Sequence, residues 1–124
     1  MISNTQTKVQ TNVKEFDITS AFDSTTNYRF QPAVAGIYQI TAYVSCSVSA
    51  GTGNWASIYK NGNEYKRGFQ GIGMTGYPVS CAVQLNGSTD YVELYFLNGS
   101  GANTNTNGGA AYLVYLQGVL VSAT

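Results

Sequence analysis

Residues 28–48 read YRFQPAVAGIYQITAYVSCSV, and the pattern within them decides the fold. From Gly36 onward, Tyr38, Ile40, Ala42, Val44, Cys46 and Val48 fall on one face of an extended chain. Gln39, Thr41, Ser45 and Ser47 fall on the other, with Ile37 and Tyr43 as apolar exceptions. A period of two with one apolar side predicts a long strand lying on a core. Upstream, Tyr28 and Phe30 mark a short aromatic strand. Pro32 lacks a backbone donor and belongs to the connection that ends at Gly36.

The same alternation recurs outward from this stretch. Over 77–85, Tyr77, Val79, Cys81, Val83 and Leu85 point inward, and over 91–97 Val92, Leu94 and Phe96 do so. Residues 55–59 and 64–69 read as a hairpin around Asn61-Gly62, a pair that tolerates positive φ. Residues 5–13 alternate weakly (Thr7, Val9, Thr11, Val13) and predict an edge strand. No stretch carries a helical apolar stripe, and Gly, Asn and Thr recur too often for helices. The chain is therefore expected to be all-β, one domain over 1–124, with 1–14 as an N-terminal arm and edge strand.

Composition narrows the function. The chain has 124 residues, 6 basic and 6 acidic side chains, no histidine, and 10 Tyr, 5 Phe and 1 Trp. Balanced charge argues against nucleic acid, which needs a basic face, and against a polybasic membrane patch. No run approaches the roughly 20 apolar residues of a membrane span. No basic-then-apolar leader opens the chain, which leaves a protein not exported by such a signal or a fragment of a longer fibrous one. Without histidine, Ser-His-Asp and Cys-His arrangements and histidine zinc sites cannot be built. The acidic residues Glu15, Asp17, Asp23, Glu64, Asp90 and Glu93 stand beside turns or on polar strand faces. They are expected to be solvated, and too scattered for a calcium cage or a glycosidase pair. The expectation is a non-enzyme with no cofactor and no metal. The two sequons, Asn86-Gly87-Ser88 and Asn98-Gly99-Ser100, read as turns.

Tyr28-x-Phe30-x-Pro32-x-x-x-Gly36-x-Tyr38-x-Ile40 resembles the C1q-like domain, whose pattern is Gly-x-Phe-x-x-Pro-x-x-Gly-x-Tyr-x-Phe. Phe16-Asp17 is similar to its early Phe-Asp. LNGSTDYV at 85–92 is similar to its Leu-x-x-Gly-Asp-x-Val hairpin, with extra residues between Gly and Asp. Lys60-Asn61-Gly62 matches its mid-domain turn, and LQGVL at 116–120 its closing strand. The resemblance runs in order along nearly the whole chain. It implies a two-sheet antiparallel jelly-roll sandwich, related to the tumour-necrosis-factor-like fold. It also makes the strands of Cys46 and Cys81 neighbours, so a cross-strand disulfide stands beside the expected reading of two packed thiols.

The last strand carries the next inference. Over 111–121, Tyr112, Val114, Leu116, Gly118 and Leu120 share one face, and Leu113, Tyr115, Gln117, Val119 and Val121 the other. Both sides are apolar, so the strand is expected to be buried on both. A sandwich buries only one face of each sheet, and the second must meet something else. The resemblance implies burial around a threefold axis. It predicts a homotrimer with Tyr43, Ala82, Gln84, Tyr115, Gln117 and Val119 near that axis. The alternative is a monomer whose loops or N-terminal arm cover the face.

In a jelly roll the glycine-rich loops 49–54, 68–76 and 98–109 would share one end, with both termini at the other. That is the layout of a recognition knob on a shaft. The receptor contacts expected there are Asn54, Trp55, Phe69, Met74, Asn98, Asn103, Asn105 and Asn107, since flat aromatics and uncharged amides suit glycans and protein hot spots. The reading is the head of a fibrous protein, a phage tail fibre or related viral appendage in the virion, joined to an upstream shaft. Its partners would be itself and a host-surface glycan or protein receptor, with no nucleic acid and no membrane insertion. Alternatives are a structural trimerisation cap and a secreted C1q-like ligand.

Overall fold

The computed structural model describes residues 6–11, 13–14, 17, 20–46, 53–71, 76–99 and 114–124. Among them there is no helix. The elements are β1 (Gln6–Lys8), β2 (Phe22–Asp23), β3 (Arg29–Phe30), β4 (Gly36–Ser45), β5 (Asn54–Lys60), β6 (Asn63–Gly71), β7 (Gly76–Leu85), β8 (Val92–Leu97) and β9 (Val114–Ala123). They form two antiparallel sheets. The larger has the order β2-β3-β8-β5-β6, with β1 also on β8; the smaller has the order β7-β4-β9.

β4 is the strand that the opening stretch predicts. Its burial alternates, with Tyr38, Ile40, Ala42 and Val44 in the core and Ile37 and Gln39 exposed. Across the sandwich, Ala56, Ile58, Val92, Leu94 and Phe96 are fully buried, and the Tyr77 and Phe96 rings meet edge to face at 5.2 Å. Phe30 fills the space above Gly118, where an added Cβ would stand 3.0 Å from its ring. The β5–β6 turn has Asn61 at φ 53 and Gly62 at φ 84, as the Asn-Gly pair predicts for a tight hairpin.

The two edges of the small sheet differ. Gly68 of β6 comes so near β7 that an added Cβ would stand 2.1 Å from the Pro78 carbonyl. Tyr65 Oη reaches the Ala82 carbonyl at 3.5 Å and Lys60 Nζ donates to that of Gln84 at 2.9 Å. β7 is thereby covered, and Pro78 sits where a missing backbone donor costs least. β9 pairs only with β4 among the described strands, which leave its other edge unpaired.

Cys46 and Cys81 follow the expected reading of two packed thiols, and the register shows why no bridge joins them. The strands of Cys46 and Cys81 do pair, but Cys81 lies opposite Ile40, six positions before Cys46 on β4. That puts their Cα atoms about 20 Å apart, beyond the ~7 Å limit between bridged Cα atoms. Both cysteines are free, and burial pushes the Cys46 thiol up to about 11. Within one chain the outer-face residues Val119 and Val121 of β9 are 63% and 64% exposed, and Leu120, expected on the inner face, is 41% exposed. One expectation is corrected: the start of β1 and the end of β9 lie at opposite ends of the sandwich. Gln6 lies beside Leu97 at the end where β4 finishes, whereas Ala123 lies beside Gly36 at the other.

Candidate functional site

The six residues expected at a subunit interface all lie on one face of the small sheet. Pairing places Gln84 beside Ile37, Ala82 and Val119 beside Gln39, Gln117 beside Thr41, and Tyr115 beside Tyr43. Directly paired residues share a face, so these side chains form one outward surface. At one end Tyr43 and Tyr115 stack at 5.8 Å; at the other Ile37 and Val119 are 39% and 63% exposed. No charged side chain interrupts the paired rows. The surface is therefore uncharged, with apolar side chains at both ends.

At the loop end, Asn54 and Asn98 are fully buried rather than offered to a ligand. Asn54 Nδ2 donates to the Gly71 carbonyl and to Tyr77 Oη, each at 3.3 Å, and its Oδ1 accepts from the Gly99 N–H at 2.8 Å. One amide thus ties together the described ends of all three long loops. A buried carboxamide held by both its ends is a structural clamp, which corrects the expectation of a receptor contact. Phe69 is 52% exposed. Met74, Asn103, Asn105 and Asn107 lie outside the described residues.

Trp55 belongs to a different site, on the outer face of the larger sheet. β5 and β6 are joined through two β-bulges, so residues three apart on β6 share a face: Glu64, Arg67 and Gln70 stand opposite Tyr59, Ser57 and Trp55. On the other side of β5, Glu93, Tyr95 and Leu97 of β8 complete the rows, and Gln6 and Lys8 of β1 extend them.

The side chains on this face are tightly interlinked. The Arg67 guanidinium lies 3.9 Å over the Trp55 ring and grips Glu64 through Nε (3.2 Å) and Nη2 (2.9 Å). Glu64 Oε2 also accepts from Ser57 Oγ at 2.5 Å and Gln6 Nε2 at 3.0 Å. Arg67 and these neutral donors hold the Glu64 carboxyl below the usual carboxylate range. Tyr59 and Tyr95 stack at 3.8 Å, and burial raises both phenols. Lys8 Nζ stands 2.5 Å from Glu93 Oε2, and its hydrogen bond to that carboxylate raises the ammonium pKa.

Glu93 is only 3% exposed, which corrects its reading as a solvated carboxylate. The buried acid has a structural partner in Lys8. Asp17, Asp23 and Asp90 are likewise engaged, holding backbone N–H groups of 21–22, 25–27 and 86. Among the described residues no group of three or more His, Cys, Asp or Glu side chains could hold a metal ion.

Comparison with known proteins adds no assignment: the sequence matches no protein-family model and no curated protein.

Proposed function

We propose that this chain is a homotrimeric, non-enzymatic head domain of a fibrous protein, a jelly roll of the C1q-like kind, which presents a recognition end to a host surface. The observation that carries the reading is the uncharged outer face of β7, β4 and β9, with Tyr43, Tyr115 and Val119 on it and a β9 edge that no described strand pairs with. Burying such a face between copies removes apolar area from water at about 25 cal/mol per Å². Three copies around an axis give each chain two neighbours, so that both flanks of the face can be covered.

Support for recognition is separate. The ends of 47–52, 72–75 and 100–113 converge on Asn54, which gives three connections one rigid base. Trimeric presentation would multiply a weak single-site affinity. The expected setting is a phage tail fibre or similar viral appendage. β1 begins at the loop end, so an upstream shaft would approach along the flank of the larger sheet.

Light scattering tests the assembly: the wild-type chain should have the mass of three 13.2 kDa chains, and Val119→Asp the mass of one. A wild-type monomer overturns the reading. Binding to host cells and a glycan array tests recognition. Deleting 100–109, which spares the clamp at Asn98 and Gly99, should abolish binding and leave the trimer; a trimer that binds nothing is a cap alone.

A further inference from the structure

Two buried polar atoms on the outer face of the larger sheet make no hydrogen bond to any described residue: the Trp55 indole N–H and the Gln6 carboxamide oxygen. They lie in one row, because Leu97 of β8 pairs with Gln6 on one side and with Trp55 on the other. One is a donor and the other an acceptor, and native proteins seldom bury either without a partner. Beside them stand Glu64 and Arg67, a carboxylate and a planar guanidinium, with the fully buried Ser57 hydroxyl holding Glu64 from beneath. A sugar hydroxyl is the ligand group that can accept from an N–H and donate to a carbonyl at once.

The charge on this face narrows the ligand. Arg67 is matched by Glu64, and Lys8 by Glu93, so neither sign is in excess. An anionic sugar or a phosphate would meet a guanidinium already gripped by a carboxylate. A neutral polyhydroxyl loses nothing there, since Glu64 can accept from one hydroxyl while Arg67 donates to the next. Access runs past Arg67: its side chain is 43% exposed and its guanidinium covers the Trp55 ring. Trp55 is itself only partly buried, so a sugar can stack on the margin of the ring that the guanidinium leaves free while Arg67 keeps its hold on Glu64.

We infer that the outer face of the larger sheet at its loop end binds a neutral saccharide, with Trp55, Gln6, Glu64 and Arg67 as its contacts. The assignment rests on the domain being a recognition module. It needs neither the trimer nor the three long loops, because every contact comes from one chain and from strands.

Trp55 is the one tryptophan in the chain, so its fluorescence reports the site directly. The probes are maltotriose, cellotriose, methyl α-mannoside and lacto-N-tetraose, with 3′-sialyllactose and inorganic phosphate as anionic arms. At least one neutral probe should give a saturable emission change and a matching calorimetric isotherm, and the anions should give neither. Gln6→Ala and Trp55→Phe, followed by calorimetry, should each weaken binding at least tenfold with an unchanged β-sheet circular dichroism spectrum. The inference is overturned if no neutral probe binds, if the anions bind as well, or if either variant binds like wild type. Host-cell attachment that survives in both variants would remove this site and leave the recognition reading standing. Loss of attachment only on deleting 100–109 would do the same.

Discussion

Tyr43 of β4 and Tyr115 of β9 stack across the small sheet with ring centroids 5.8 Å apart and planes 16° apart. The stack depends on Gly76: a Cβ added there would stand 1.9 Å from Tyr43 Oη and 2.6 Å from Cζ. Gly76→Ala must therefore push the Tyr43 ring aside. The clash is with the end of a side chain, so the fold should survive at a cost of about 1 kcal/mol. The assembly face, however, would change shape. The expected outcome is a thermal midpoint lowered by only about 4 °C with markedly weaker self-association, read by sedimentation velocity across a dilution series. Equal self-association in both proteins would separate this aromatic pair from the interface.

Asn54 makes a contrasting prediction, because its work is internal. Asn54→Ala removes the two 3.3 Å bonds to Gly71 and Tyr77 and leaves the buried Gly99 N–H unpaired. Orphaning buried groups costs about 1–3 kcal/mol each, so a loss near 3 kcal/mol is expected in urea unfolding. Hydrogen exchange should accelerate first at the Gly99 amide. If the clamp reading is right, saccharide binding at Trp55 weakens far less than stability does.

The Lys8–Glu93 pair ties β1 to the larger sheet, and its two side chains are unequally covered, at 32% and 5% exposure. Removing Lys8 leaves the carboxylate buried and alone. Lys8→Met should cost about 2–3 kcal/mol, below the 3–5 typical of fully buried pairs because Lys8 is a third exposed. Lys8→Met combined with Glu93→Leu should recover most of that loss, since neither charge is then buried. A double-mutant cycle in urea measures it; strictly additive losses would deny the coupling.

What the sequence revealed, and what it concealed, follows from where the period of two survives. β4 and β7 each bury mainly one face, so Tyr38 and Val83 announce their direction in the pattern alone; in β8 Leu94 does so too, although Glu93 on the other face is also buried. β6 does not, because the two bulges opposite β5 shift its phase. Strict alternation would group Glu64 with Lys66 and Gly68, whereas the fold groups Glu64 with Arg67 and Gln70. The Trp55 face was illegible for that reason. Asn54 and Asn98 misled differently: amides beside glycines read as solvated loop residues, and nothing local signals that a buried amide will find three partners. The entry of β1 beside Leu97 is a non-local choice, and so is the register that separates Cys46 from Cys81. The outer face of β9 was legible, since Tyr115, Val119 and Val121 are apolar where a lone sandwich calls for polar residues.

The pH dependence of stability follows from the carboxylates. Thr26, Thr25 and Asn27 N–H groups hold Asp23 well below its usual range; Arg67 does the same for Glu64 and the Asn61 amide for Asp90. A carboxyl whose folded pKa lies below its unfolded value of 3.8 or 4.5 stabilises the fold at higher pH. That contribution is complete above the unfolded pKa and disappears as pH falls through the folded one. Lys8 behaves oppositely: its pKa is raised above 10.5, so its contribution is complete below that value and is lost as pH climbs through the folded pKa. With no histidine in the chain, no side chain of ordinary pKa titrates between about 5 and 8. Thermal midpoints followed by circular dichroism should therefore be level from about pH 5.5 to 8.5, fall progressively below pH 4, and fall again above pH 10. Asp23→Ala should lower the plateau and flatten the acid limb, because the turn over 25–27 loses its acceptor. A step in the wild-type midpoint between pH 6 and 7 would contradict this assignment of the titrating groups.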